Sequence, residues 1–410
     1  MKIAMISLYL PSETKMGVGY QAHAMANGFV ARGHSVVMSS ACARPEGASY
    51  DYRCVEVGDS LRTFRFAWNL RKIDFSGFDV IHAHGDNYWL WSRRHRPPVI
   101  RTMHGSCLAE AWKVPGIKEK LRMLLLYCAE VLATLVSDKT VCVSANTLKY
   151  YPWLKTVIPN GVDVAAYAAQ RLNDHGSRIT DQRQGGDGGF TTEVREATEG
   201  GNAECTGNTD NTESIEPVTC NLSPVTSPAK AAVPTILFVG TYGNRKRGKL
   251  LMEVFAREVL PKLPEAQLWM VCSDAPAAAG VCVLGRISQA ELVERYQRAW
   301  VFCLPSTYEG FGIPYIEAMA AGTAVVASPN VGAVEVTRQG QDGLIAADDQ
   351  LGGALVQVLT DEVLRHKLEA AGRERVKDFD LNSVCERYEK VYANAAGGRG
   401  DGTNEVTGYR

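Results

Sequence analysis

The feature that most constrains this chain is a repeated alternation of short apolar runs, mostly β-branched, with amphipathic stretches. The runs in the first part are Ile3–Leu8, Ser35–Ser39, Asp79–His82, Val99–Met103, Thr140–Val143 and Thr156–Ile158. Those in the second are Thr235–Val239, Gln267–Cys272, Val281–Leu284, Val301–Leu304 and Ala324–Ala327. Most are apolar throughout, which fits parallel strands covered on both faces. Between them lie Gln21–Arg32, Lys118–Val136, Lys249–Val259, Gln289–Ala299, Ile316–Ala321 and Asp361–Lys377, with apolar residues at helical spacing. Strand, helix, strand repeated this often predicts an α/β protein with doubly wound parallel sheets. A chain of 410 residues has room for two of them.

Residues 168–232 interrupt the pattern. They hold Gly185-Gly186-Asp187-Gly188-Gly189, much Thr, Asn, Asp and Glu, and few large apolar side chains. Such a segment cannot bury enough surface to offset its ordering entropy, so it reads as a polar, disordered linker. The chain therefore divides into an N-terminal Rossmann-like domain (1–167), that linker, and a second Rossmann-like domain (233–380). A helix (381–396) and a glycine-rich flexible tail (397–410) complete the chain.

Charge sharpens the division. The whole chain is nearly neutral, with 44 Lys+Arg against 45 Asp+Glu, which removes a general case for nucleic-acid binding. Residues 1–167 alone carry a net +7, against −5 for 168–232 and −3 for the remainder. The basic half favours an acidic acceptor or an anionic membrane surface. Arg93-Arg94-His95-Arg96, Lys118, Lys120 and Arg122 are the candidate contacts. Eleven scattered cysteines without a Cys-x-x-Cys pair read as free thiols in a reducing setting, several of them inside apolar runs (Cys142, Cys272, Cys282, Cys303). The apolar start is too short for a signal peptide, and no uncharged apolar run reaches 18 residues. A cytoplasmic protein, peripheral at the inner face of the membrane, is the expectation.

Two glycine motifs mislead. Gly17-Val18-Gly19-Tyr20-Gln21-Ala22 fits a dinucleotide fingerprint, yet it lies well past the first strand and no acid ends the second strand. What survives is a glycine loop opening a helix, able to bring backbone N–H groups to an anion. Gly243 to Lys249 fits a P-loop but continues with Leu250, lacking the magnesium-binding hydroxyl. Its cations, Arg245, Lys246, Arg247 and Lys249, follow a strand and precede a helix, at the edge where parallel sheets bind ligands. His82 and His84 face one way on a strand end but lack a third ligand, so structural roles are preferred to a metal.

The most specific segment follows the run Val301–Leu304. Gly310 and Gly312 permit close backbone approach, and Pro314 suits a first helical turn. Free N–H groups around Phe311 to Ile313 can receive a diphosphate, with Glu309 and Glu317 reaching hydroxyls on either side. From Glu309 to Gly322 the chain reads E-G-F-G-x-P-x-x-E-A-M-A-x-G, and here it resembles the retaining GT-B glycosyltransferases of glycosyltransferase family 4. Ile158-Pro159-Asn160-Gly161-Val162-Asp163, Thr102-Met103-His104-Gly105 and the stretch Val325 to Ser328 through Gly332, Glu335 and Gly343 look similar to the family too.

The resemblance implies a GT-B architecture, two Rossmann-like domains facing a cleft, and a nucleoside-diphosphate sugar as donor. Glu317 would bind the ribose hydroxyls and Glu309 the transferred sugar. The backbone at Phe311, Gly312 and Ile313 would meet sugar or diphosphate. His104 would stand near the reaction centre from the opposite domain, with Gly17 and Gly19 near the phosphates. The family's G-R-x-x-x-x-K-G is altered here: Gly240 is followed by Thr241-Tyr242, and Arg245-Lys246-Arg247-Gly248 comes one residue late. Arg245, with Lys246 or Arg247, would neutralise the diphosphate. With cations in that role, no metal and no other cofactor is expected. The expected function is retaining transfer of a hexose-type sugar to an unidentified acceptor. The alternatives are a nucleotide-sugar epimerase, a sugar phosphorylase, or a non-catalytic nucleotide-sugar-binding protein.

Overall fold

The computed structural model describes residues 1–11, 17–58, 61–85, 87, 88, 90, 96–112, 114, 116–168 and 229–397. Residues 169–228 of the polar segment read as a linker, the 398–410 end of the tail, and Arg93, Arg94 and His95 lie outside the described residues.

The first lobe contains β1 (Lys2–Ile6), α1 (Val18–Ala31), β2 (Ser35–Ser40), β3 (Asp51–Cys54), α2 (Arg62–Asn69), β4 (Val80–Ala83), β5 (Val99–Met103), α3 (Cys107–Ala111), α4 (Ile117–Val136), β6 (Lys139–Cys142) and β7 (Thr156–Val157). The second contains β8 (Thr235–Val239), α5 (Gly248–Val254), β9 (Gln267–Val271), β10 (Val281–Val283), α6 (Gln289–Arg298), β11 (Val301–Leu304), α7 (Ile313–Ala320), β12 (Ala324–Ala327), α8 (Val331–Val336), β13 (Leu344–Ile345), α9 (Leu351–Thr360) and α10 (Glu362–Arg375). A last helix, α11 (Leu381–Ala396), follows.

The strand orders are 3-2-1-4-5-6-7 and 10-9-8-11-12-13, and the strands are paired in parallel. Each sheet therefore reverses direction beside its first strand. Ile3 lies between Val36 and Val80, and Ile236 between Leu268 and Val301. At such a reversal the connecting loops diverge from the carboxyl edge and leave a crevice. β5, β8, β11 and β12 are buried at every position, which explains the nearly continuous apolar runs of the last three, while β5 also buries Arg101 and Thr102. Two strands fall outside the sequence reading. β3 is a largely exposed edge strand with the sequence DYRC, and β13 is only two residues long, so neither carries an apolar signature.

Side-chain caps set several helix starts: Ser288 with Glu291 at α6, Asn330 at α8, Asp361 at α10 and Asp380 at α11. Between the lobes the chain passes side by side with itself. Val162 N–H donates to Phe379 O at 2.9 Å, and Leu381 N–H to Val162 O at 3.0 Å. α11 then packs on the first lobe against α1. Arg32 and His34 donate to Glu389, while the Tyr388 and Tyr392 hydroxyls meet Thr102 Oγ1 (2.8 Å) and His82 Nδ1 (2.7 Å). Cys142, Cys272, Cys303 and Cys385 are buried free thiols, whereas Cys282 is disulfide-bonded, which departs from the free-thiol reading.

Candidate active site

In the second lobe the loops that leave β8 and β11 emerge side by side at the reversal point. The first carries Arg245 and Lys246, the second Glu309, and topology alone brings them together. Glu309 Oε1 accepts from Lys246 Nζ at 2.8 Å, Arg245 Nη1 at 3.0 Å and Ser306 Oγ at 2.6 Å. Burial pushes the Glu309 carboxyl up, but the adjacent Lys246 and Arg245 outweigh it and hold the group below the usual glutamate range. Lys246 is mostly covered, and burial lowers its pKa against the opposing pull of Glu309. Arg245 remains half exposed, with Nη1 also bonded to Tyr308 O. Arg247 turns elsewhere. Its Nε donates to Pro305 O at 2.6 Å, and its guanidinium forks onto Asp348 at 2.6 and 2.9 Å.

Gly312 opens α7 at φ 101°, where a Cβ would stand 2.5 Å from the Tyr315 ring. The Phe311 side chain is buried edge-on to Phe379, 5.6 Å between ring centres, so that residue offers the crevice its backbone. Ile313 and Pro314 begin the helix, and Glu317 follows one turn later. Its Oε2 accepts from Tyr296 Oη at 3.0 Å, and the Tyr167 hydroxyl bonds the same carboxyl. Burial raises the Glu317 pKa, partly offset by these two phenols.

The first lobe contributes His104, directly after β5. Its Nε2 meets His84 Nδ1 at 3.0 Å, its ring stacks on His84, and Asn160 bonds it as well. Burial, then the charge of Arg101, lowers the His104 pKa to about 4, so the ring is neutral at neutral pH. His82 is buried between Thr102 and Tyr392, and no group of three or more metal-ligating side chains occurs among the described residues. The lobes touch at this point. A Cβ on Gly310 would lie 2.9 Å from His104 O, and Glu335 of α8 accepts from the Ser144 hydroxyl and Ala145 N–H of the first lobe.

The structure thus gathers Glu309, Arg245, Lys246, Gly310 and His104. Gly17, at φ 86°, caps α1 with open space around it. Gly19 is buried, and a Cβ there would press on the Leu10 backbone at 2.9 Å, so helix packing accounts for it. Several residues escaped the sequence reading as site residues. Ser306 orients Glu309, and Asn330 ties the Ser306 and Ser328 carbonyls while capping α8. Gly332 lies so near the 309–311 backbone that a Cβ would meet Phe311 O at 2.6 Å. Asn160, which the sequence offered only as part of a family-like stretch, bonds His104, and Tyr167 and Tyr296 left no local signal.

Residues 16–166 match the family described as Glycosyltransferase Family 4, and residues 233–361 match that described as Glycosyl transferases group 1. The chain belongs to this glycosyltransferase family. The site residues read from the sequence of this family 4 glycosyltransferase lie within the two matched stretches, and Tyr167 falls just past the first. It is 34% identical over 180 residues to the phosphatidyl-myo-inositol mannosyltransferase of Mycobacterium tuberculosis, covering 40% of this chain and 48% of that protein. To the D-inositol 3-phosphate glycosyltransferase of Corynebacterium diphtheriae it is 30% identical over 180 residues, covering 39% and 42%. The chain thus spans about half the length of the curated relatives it matches. Among solved structures it resembles the sucrose-phosphate synthase of Thermosynechococcus elongatus, with TM-score 0.67 and 19% identity over 96% of this chain and 98% of that one. It also resembles Anabaena HepE in complex with UDP and glucose, with TM-score 0.66 and 14% identity over 96% and 100%. The fold of this family 4 glycosyltransferase is GT-B, as its two parallel sheets already indicated.

Proposed function

We propose that the protein moves a hexosyl group from a nucleoside-diphosphate sugar to an acceptor with retained anomeric configuration and without a divalent ion. The observation that carries this is Glu309 held by Arg245 and Lys246 at the second sheet's reversal point, with the adjacent Gly310 set against the His104 carbonyl of the first lobe. The two cations share one carboxylate. A diphosphate would replace it as their partner and release Glu309 to the sugar hydroxyls.

The chemistry follows from the charges. Departure of the nucleoside diphosphate builds negative charge, which cations already in place stabilise without rearrangement. Lys246 is the more poorly hydrated, so its attraction for that charge is less screened. The anomeric carbon becomes oxocarbenium-like, and a neutral His104 beside it adds no positive charge. Ionised Glu309 offers acceptors to sugar hydroxyls, and Glu317, steadied by Tyr296 and Tyr167, would take the ribose. Attack from the leaving-group face retains configuration without a lasting covalent intermediate.

The test is a panel of labelled UDP, GDP, ADP and TDP sugars, mannose and glucose first because relatives and neighbours carry those names. One donor should raise the melting temperature and pass its label to an acceptor, with the α or β linkage of the donor preserved by NMR. Glu309→Ala should abolish transfer, and EDTA should leave it unchanged. Normal turnover by Glu309→Ala would overturn the assignment. Loss with EDTA, restored by Mg²⁺, would overturn the metal-free mechanism.

A further inference from the structure

Glu335 belongs to α8 of the second lobe, yet its carboxylate is directed at the first. Oε2 accepts from Ser144 Oγ, and Oε1 accepts from Ala145 N–H at 3.0 Å. Ser144 is fully buried, and its Oγ accepts from Asn146 N–H, which leaves the hydroxyl proton for Glu335. Val143, the residue before it, packs into the core of the second lobe. Charge-assisted hydrogen bonds are roughly twice as strong as neutral ones, and a grip through both oxygens fixes orientation as well as distance.

Each end of this clasp is built into one half of the candidate site. In the second lobe, Asn330 holds the start of α8. Its side chain bonds Ala333 N–H at 2.9 Å and Ser306 O at 3.1 Å, and Ser306 Oγ in turn bonds Glu309. Buried Arg375 fixes the far end of the helix, donating to Val336 O at 3.0 Å and Glu335 O at 3.2 Å. Gly332, between these anchors, lies against Glu309 and Phe311. In the first lobe, Ser144 follows β6, where Cys142 stands opposite Met103 and Val143 N–H donates to Met103 O at 3.1 Å. His104 comes directly after Met103. A contiguous series of bonds therefore runs from Glu309 through α8 to Ser144 and on to the end of β5.

We propose that Glu335 is a positioning residue, whose grip on Ser144 and Ala145 sets the spacing of the lobes and so the placement of Glu309, Arg245 and Lys246 against His104. The use made of that spacing rests on the transferase reading; the clasp itself does not. Arg245, Lys246, Glu309 and Glu317 all stand in the second lobe, so opening the clasp leaves their mutual geometry alone. It removes the setting of the first lobe, and a misplacement of about 1 Å at a reaction centre costs on the order of a hundredfold in rate. Each lobe keeps a core of its own, so the lobes should shift without unfolding.

Glu335→Ala removes both acceptors, Glu335→Gln keeps one amide oxygen, and Ser144→Ala removes the hydroxyl. With the labelled donor, Glu335→Ala should lower kcat about 10- to 100-fold while the donor KM stays within about twofold, and Glu335→Gln should fall between. Adding Ser144→Ala to Glu335→Ala should cost little more than Glu335→Ala alone, because both act on one bond. Hydrogen–deuterium exchange reads the lobe contact without turnover. In Glu335→Ala, peptides spanning 104–111 and 308–312 should exchange about fivefold faster or more, with those over β8 and β11 unchanged. Faster exchange confined to 144–146, with kcat unchanged, would overturn the proposal. So would a kcat loss accompanied by faster exchange throughout the second lobe, which would make Glu335 a purely structural residue. Faster exchange at 104–111 and 308–312 with no transfer by the parent protein from any donor would keep the clasp and remove the transferase reading.

Discussion

At the scale of single residues, the three neighbouring cations of the β8–α5 loop do three different things. Lys246 is buried against Glu309, Arg245 bridges the same carboxylate from the surface, and Arg247 braces Asp348 and Pro305. Lys246→Met should therefore lower kcat by about 10²–10³, the usual cost of removing one fixed charge-stabilising group. Arg247→Met should change kcat by less than about tenfold and lower the melting temperature instead. Equal kinetic losses in the two variants would contradict this division. Gly332→Ala is the matching steric test. Its methyl group would collide with Phe311 O and Glu309, so a loss of about 1–3 kcal/mol by urea unfolding is expected, with weakened donor binding. The motif told which residue types stand at 309 to 322, but not which of three adjacent cations turns inward. That choice depends on Arg247 adopting φ 54°, which sends its side chain to the far wall of the loop.

At the scale of elements, α11 is a second-lobe extension whose packing surface belongs to the first lobe. It places two phenols over β4 and β5, and Tyr392 Oη is bonded to His82 Nδ1 inside the core. Tyr392→Phe keeps the ring but strands a buried imidazole nitrogen, so about 1–3 kcal/mol of stability should be lost, measured by chemical unfolding. No change would mean that the bond contributes nothing. The apolar strands were legible because burial on both faces leaves few polar positions in them, whereas β3 is largely exposed and β13 is too short to show a period. α4 was legible as a helix, but its exposed face, with Leu121, Leu125 and Leu135 outward, was not. Periodicity reports that a stripe exists and is silent on whether protein covers it.

At the scale of the whole molecule, acid should loosen the first lobe before the second. Burial lowers the pKa of His82 to about 3 and of His104 to about 4, and takes His84 well below its ordinary value. Between pH 6.5 and 4 the unfolded chain binds protons that the folded one refuses. The stability held above pH 6.5 is therefore lost progressively as pH falls through that window. A melting temperature flat between pH 7 and 4.5 would show that these rings are not neutral in the fold. The sequence by itself determined two doubly wound sheets, the Glu309 to Gly322 segment and the basic first lobe, because burial, glycine conformation and charge are local properties of residue types. Only the tertiary structure decided that Lys246 faces Glu309, that His84 supports His104, that Tyr167 and Tyr296 hold Glu317, and that the leucines of α4 face outward. Each of those depends on which distant segments the strand order places side by side, and spacing along the chain does not encode it.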